Sequence, residues 1–415
     1  MKLSLIHRTF LHVAIIIAAT ASAFAQAGSL DSSFGTNGKT IVDFSFISPA
    51  PDGMVVQSDG KIVSISGGFN HGHKLVRLNS DGSLDTSFGG DGSVEFYWTL
   101  TSGSSTYYGK AYAVALQNVG GQERIIVAGA GHLKSGNKTL DNVLRVQRFM
   151  PDGSIDSSFG TNGFVVHNTG YATVMAVQPD GKIVTDGDLG KLVRLNANGS
   201  LDTLFGSGGI AVSGSARAVV VDSVSGIIVG VDYAVGKANK QRGVMSLQRF
   251  LSNGSLDTSF GTAGRATADF GGTSRVWEVK IDLAGNIVVG GNANGLFAVA
   301  RFTSTGQPDL TFNGDGRAIG PAGDPRGMSL QADGKPVVTG PVGAWGVQDF
   351  QLARFNTDGS LDSTFGTGGV VTADIYQNDF SHRSIIQIDP ACACEKIVMA
   401  GGKDPFITFA RFTTF

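Results

Sequence analysis

The chain has 415 residues, 16% of them charged, with a formal net charge of −2. That balance provides no basic face for nucleic acid. A hydrophobic content of 41% is enough for a packed core and argues against disorder, while the 60 glycines point to a fold rich in tight turns. Length alone suggests two or three domains.

Residues 1–25 read as a secretory leader. Lys2 and Arg8 give a basic start, Val13–Ala19 is apolar but too short to span a bilayer, and Ala23-Phe24-Ala25 fits the small-x-small cleavage rule. The mature chain is then expected to begin at Gln26, with no membrane span, in the periplasm, at the cell surface or outside the cell. Loss of Lys2 and Arg8 takes its net charge from −2 to −4.

Residues 26–415 are built on one recurring stretch, first met at Gly28–Gly38 as GSLDSSFGTNG. It returns at 82–92, 153–163, 199–209, 254–264, 306–316 and 359–369. Its phenylalanines, Phe34, Phe88, Phe159, Phe205, Phe260, Phe312 and Phe365, lie 54, 71, 46, 55, 52 and 53 residues apart. A period near 50 means one supersecondary unit used seven times, which overrides the length prior and predicts a single closed array.

Within each unit the SFG turn leads into a short strand D, such as Lys39–Phe44. A variable stretch follows, then strands A and B joined by a tight Asp-Gly turn, as in TVMAVQ-PDG-KIVTDG at 173–187. A second variable stretch precedes strand C, which ends in an Arg motif (LVRLN, VQRF, LARF). No segment has sustained helical periodicity. Four antiparallel strands per unit and seven units predict an all-β, seven-bladed β-propeller. The chain begins with a lone D and ends with a lone A-B-C, so Lys39–Phe44 is expected to complete the last blade and close the ring.

The combination LDxSFGxxG, QxDGKIVxxG and ARFN resembles the delta-60 repeat family of bacterial secreted and surface proteins, over essentially all of residues 28–415. The resemblance implies a β-propeller and carries no shared biochemical activity. The sixth copy departs from it at Pro308 and Asn313, and the fourth unit replaces the Asp-Gly turn with SVSG at 223–226.

Residues used once per blade belong to the blade. Asp31, Asp85, Asp156, Asp202, Asp257, Asp309 and Asp362 are read as capping the LDxSF turn. Arg77, Arg148, Arg194, Arg249, Arg301, Arg354 and Arg411 are read as donor forks reaching a carboxylate or turn carbonyls. Seven calcium loops are the functional alternative, for which the DGSLD spacing lacks oxygen ligands. The seven phenylalanines are expected between adjacent blades.

The A-B and C-D turns share one face. Length variation falls on the other, at Glu95–Lys110, Gly131–Asn142, Asp232–Gly243 and Gly340–Gln348, and binding residues are expected there. Three groups fall on that face. Tyr97, Trp98, Tyr107, Tyr108 and Trp345 are either exposed platforms for sugar rings or proteins, or packing beneath their own loops. His71, His73 and His132, with His167 and His382 nearby, are either metal ligands or solvated loop residues. Arg217, Arg275, Arg326 and Arg383 each precede an A strand. They are expected either to ring the channel mouth and attract anions, or to pair with local acids such as Asp324.

Cys392 and Cys394 are the only cysteines, read as a local turn insertion or a reactive pair. There is no G-x-S-x-G, HExxH, Walker or Rossmann signature and no cofactor is expected. The expected function is a monomeric binding or scaffold module for a protein partner or an envelope or extracellular glycan. The rival is a glycan hydrolase or lyase with paired carboxylates at the channel mouth.

Overall fold

Glycine-bearing turns set the hairpins. In the first, Gly60 has φ 82°, a conformation that side-chain-bearing residues adopt only with strain. The Gln57 amide donates to the Lys61 carbonyl at 2.8 Å, closing the turn. The turn joins Gly53–Val56 to Ile62–Gly67, and His73–Leu78 and Ser93–Phe96 follow in an antiparallel sheet of four. A computed structural model describes residues 26–44, 51–67, 72–102, 105–135, 138–188, 190–222, 226–235, 242–344, 347–375, 381–403 and 406–415. Residues 1–25, read above as a leader, lie outside them.

Seven such sheets follow one another, six of them running in sequence order from the inner strand outward. The inner strands are Gly53–Val56, Lys110–Val119, Met175–Val177, Ala216–Asp222, Ser274–Ile281, Gly327–Leu330 and Ser381–Asp389. Each packs on its neighbour, and the last packs on the first. The seventh sheet takes its outer strand from the other end of the chain, as expected: Lys39–Asp43 pairs antiparallel with Phe406–Thr413, with Lys39 opposite Ala410 and Asp43 opposite Phe406. The protein is a seven-bladed β-propeller, and among the described residues there is no helix. None is therefore long and apolar enough to cross a membrane.

Two features go beyond the expected plan. The Glu95–Lys110 connection forms its own hairpin from Thr99–Ser102 and Ser105–Tyr108. The Gly131–Asn142 stretch is no open loop but the far end of the long Gln122–Ser135 and Lys138–Phe149 ladder.

The core lies between blades. One cluster joins Phe34, Val42, Phe44, Val398 and Phe409 of the seventh blade to Met54, Ile62 and Val76 of the first. The seven repeat phenylalanines are all fully buried. Each lies beneath the turn glycine of the next repeat. A Cβ on Gly82 would sit 2.9 Å from the Phe34 ring, and one on Gly153 would sit 2.9 Å from Phe88. The glycine that opens GSLDxSFG thus needs both a positive φ and the absence of a side chain, whereas the phenylalanine supplies about 1.5–3 kcal/mol of burial per blade.

The repeated charges complete this joint. Arg77 Nε donates to Asp85 at 2.7 Å, Arg148 to Asp156 at 2.8 Å, Arg194 to Asp202 at 2.8 Å, Arg249 to Asp257 at 2.8 Å and Arg301 to Asp309 at 2.7 Å. Arg354–Asp362 and Arg411–Asp31 are ion pairs at 2.9 and 3.0 Å. The guanidinium also crosses to the next blade. Arg249 Nη1 reaches the Ser304 carbonyl at 2.6 Å, Arg301 Nη1 reaches Thr357 at 2.6 Å, and Arg411 Nη1 reaches Ser80 at 2.7 Å across the ring closure. It lies 4.4–4.9 Å from the repeat phenylalanine centroid in every blade. The capping role of the aspartates holds as well: Asp85 Oδ1 accepts from the Ser87 amide at 3.1 Å and hydroxyl at 2.6 Å.

The lysine of the Asp-Gly-Lys turn, and Lys396 at the equivalent position of the seventh blade, joins the same carboxylate, a role the sequence reading did not assign. Lys61, Lys182, Lys335 and Lys396 lie 3.2, 3.3, 3.0 and 3.1 Å from Asp85, Asp202, Asp362 and Asp31. A buried pair is costly when donors go unmatched; here the fork is spread over a carboxylate, a hydroxyl and a carbonyl.

Three outcomes follow. Deleting residues 28–44 exposes the Phe406–Thr413 edge, and size-exclusion chromatography should show association where the full chain elutes as one species. Arg301→Ala strands Asp309 and should lower unfolding stability by about 3 kcal/mol in denaturant titration. The acid limb has a defined sign. Burial pushes the Asp85 and Asp362 carboxyls up, but the Ser87 and Thr364 hydroxyls and amides, Lys61, Lys335 and the arginines outweigh it and hold both at about 2. A depressed carboxyl stabilises the fold above its unfolded value near ~3.9. Circular dichroism should therefore show stability falling as pH drops from about 4 through 2.

Candidate functional site

The inner strands enclose a central cavity of about 560 Å³. Four of them carry an extra residue where they enter it: the ladders slip between Ala111 and Ala113, Ala216 and Ala218, Val276 and Glu278, and Ser381 and Arg383. A bulge turns the extra side chain off the regular alternation. Tyr112, Arg217 and Trp277 are such residues, and all three line the cavity.

The bulges also sort the four arginines, which do not form the expected ring. Ala218, Glu278, Gly327 and Arg383 are register equivalents, opposite Gly230, Gly290, Thr339 and Ala400. Arg217 and Arg326 therefore share a level, Arg383 lies one residue deeper, and Arg275 lies two residues shallower, opposite Asn292. Arg217 and Arg383 line the cavity, whereas Arg275 is exposed outside it. Arg217 donates to Asp232 at 2.8 Å and Arg383 to the Asp52 carbonyl at 3.1 Å. Arg326 pairs with Asp324 at 2.6 Å and lies 5.1 Å from the Trp277 ring centroid. The local-acid reading thus describes Arg326, and Arg217 also has its own acid.

The cavity holds residues that the sequence reading missed. Asp52 pairs with Lys110 at 3.4 Å, and Glu278 pairs with Lys280 at 3.1 Å. Lys110 also lies 4.9 Å from the Tyr112 ring centroid. Burial raises the Asp52 carboxyl to about 6, although Lys110, the Gly67 amide and Arg383 pull it down. Burial, with the Asp52 charge behind it, pushes the Tyr112 hydroxyl to about 12. The available signal was position: Asp52, Tyr112 and Trp277 stand at or just before the start of inner strands, close to where the arginines stand.

The aromatic platform is taken apart by packing. Trp98 is 2% exposed and its indole donates to Gln147 Oε1 at 2.7 Å, so it belongs to the core beneath its loop. Tyr97 is exposed and covers Gly72. Tyr108 is half-buried, Tyr107 is placed only by its backbone on Ser105–Tyr108, and Trp345 lies outside the described residues.

The histidines are likewise dispersed. His73 is fully buried, stacked 5.0 Å from Phe96 and tilted against Trp98 at 5.1 Å, and burial lowers its imidazole to about 4. His132 Nε2 lies 2.7 Å from the Tyr108 carbonyl and His167 Nε2 2.9 Å from that of Gly199. His71 lies outside the described residues, among which no three His, Cys, Asp or Glu side chains are grouped to hold a metal. The metal reading of His71, His73 and His132 is therefore not supported: His73 is committed to an aromatic stack.

Fold and cavity define a β-propeller repeat protein with a polar central channel. Six stretches, 57–88, 123–159, 178–205, 227–260, 285–312 and 331–365, match a family model described as "Domain of unknown function (DUF5122) beta-propeller", supporting a β-propeller repeat family. Among solved structures, the chain resembles the WD40 β-propeller domain of Doa1, with TM-score 0.50 and 13% identity over 90% of this chain and 96% of that one. At that identity the likeness speaks for the fold alone. No curated protein matches the sequence.

Asp52 should titrate near 6, read from its carboxyl carbon shift by NMR with Asp52→Asn for assignment. Its folded value is raised, so the stability linked to it is complete below ~4 and is lost as pH rises through 6.

Proposed function

We propose that the protein is a binding module that takes an acidic glycan at the channel mouth, on the face of the variable loops. We read it as a monomeric, secreted bacterial protein of the delta-60 repeat type, acting in the periplasm, at the cell surface or outside the cell. The repeat motifs and the leader-like residues 1–25 support that assignment. The observation that carries the ligand reading is the cavity itself. At about 560 Å³ it is the size of a small-ligand site, and its charged lining is Arg217, Lys280 and Arg383 against Asp52 and Glu278. The Trp277 indole offers an apolar face for a sugar ring, and the guanidinium groups offer donors to a carboxylate.

A glycan array on the full chain, comparing uronic-acid and neutral oligosaccharides, tests this. Trp277→Ala and Arg217→Ala should each weaken the acidic ligand about tenfold, equivalent to ~1.4 kcal/mol. Binding untouched by both substitutions, or unchanged in about 0.5 M salt, would sink the reading.

A second reading, glycan hydrolysis or elimination, is favoured by one observation. Asp52, raised to about 6, shares the cavity with Glu278, as an acid and a base would. If it holds, Asp52→Asn and Glu278→Gln abolish release of reducing ends yet leave binding intact. Binding without product in the unmodified protein leaves the module as a binder only.

A further inference from the structure

Cys392 and Cys394 form a disulfide at the tip of the first hairpin of the seventh blade. Register defines how far that tip is displaced. Gln387 pairs with Lys396 as Gln57 faces Lys61, but eight residues separate the first pair and three the second, an insertion of five. The insertion lifts Pro390, Ala391, Cys392 and Ala393 into solvent, while Cys394 stays half-buried at the start of its strand.

The bond does little to hold the fold. A cross-link spanning a single intervening residue removes far less unfolded-chain entropy than one closing a long loop. Both flanks are anchored without it. The Asp389 carboxylate pairs with Arg411 at 3.1 Å, and its Oδ1 accepts from the Ala391 amide at 3.0 Å. The Glu395 carboxylate accepts from the Ala332 amide at 2.7 Å and from Gln331 Nε2 at 3.1 Å, both on the sixth blade. Ala393, between the two cysteines, is held at φ 49°, a left-handed conformation unfavourable to alanine. Opening the ring releases that residue while the anchors remain.

We propose that Cys392–Cys394 is a thiol–disulfide exchange site for an external thiolate, from a small thiol or a protein cysteine. The thiolate attacks the exposed Cys392 Sγ, a new S–S bond forms there, and the Cys392–Cys394 bond breaks with Cys394 leaving as the thiolate, which takes a proton from solvent. A second thiolate attacks the external sulfur of the mixed disulfide. This frees the Cys392 thiol, so the protein is reduced by two electrons and two external thiols become one disulfide. The reverse sequence oxidises the same two thiols.

The test uses the full chain. Glutathione buffers of stepped reduced-to-oxidised ratio, and in a separate arm a single-cysteine peptide, are applied in native buffer. Free thiols are counted by alkylation and mass spectrometry, and circular dichroism follows the fold. The expected result is reversible opening with native dichroism throughout, and the faster arm identifies the thiol source. Cys394→Ser should trap a mixed disulfide at Cys392 several-fold faster than Cys392→Ser does at Cys394. A Cys392→Ser, Cys394→Ser double variant should melt within a few degrees of the parent. A disulfide that opens only where the blade unfolds overturns the proposal, as does a double variant that cannot fold. Equal trapping rates in the single variants overturn the assignment of Cys392 as the attacked sulfur.

Discussion

The guanidinium fork at each blade junction is the constraint on which the rest of the propeller rests. A four-stranded blade presents two apolar faces and cannot bury either alone. The repeat solves this with one buried phenylalanine per junction, under a glycine that leaves room for it. The arginine above the ring fixes where the next blade sits, because the same guanidinium holds its own aspartate and the neighbouring turn carbonyl. A backbone bond adds to the fork: the Gly35, Gly89 and Gly261 amides donate to the Asp81, Asp152 and Thr305 carbonyls of the next repeat at 2.7, 2.9 and 2.8 Å. Polar and apolar terms thus act at one place, and each blade's position is set by its neighbour.

Much of this was legible because it occurs once per blade. Phe34, Asp31 and Arg411 announce themselves by recurrence, and the split of strands between the two ends of the chain left one way to close the ring. Glutamine at the end of the inner strand recurs as well, in QxDGKIVxxG, but its role is not legible from the motif. Gln387 receives Arg411 at 2.9 Å and passes a donor to the Gly60 carbonyl at 2.7 Å, and Gln117 does the same beneath Arg148.

The site was less legible, for identifiable reasons. A bulge adds a residue without changing its type, so the phase of Arg217 against Trp277 could not be counted in a straight line. Arg383 was displaced further because the first hairpin of the seventh blade is five residues longer, so the register position that Gln387 shares with Gln57 cannot be counted from the turn. Trp98 has the sequence setting of a loop aromatic. Only the partner supplied by Gln147, on the second blade's third strand, shows that it is core. The two faces therefore differ in kind. The clamp face repeats because every blade needs the same joint, and the opposite face is free to vary because no joint depends on it.

The closing strand has a consequence for how the protein is made. Lys39–Asp43 leaves the ribosome ahead of every blade, whereas its partner Phe406–Thr413 follows only after the other six sheets. Six sheets can form in order as the chain emerges, each from contiguous sequence. The ring cannot shut before Phe406–Thr413 has emerged, so until then the molecule is an open arc with one unpaired strand and two uncovered blade faces. Completion is a single long-range event that pays the entropy of joining segments nearly a whole chain apart. The interval before it is when the nascent protein is most exposed to association with other chains.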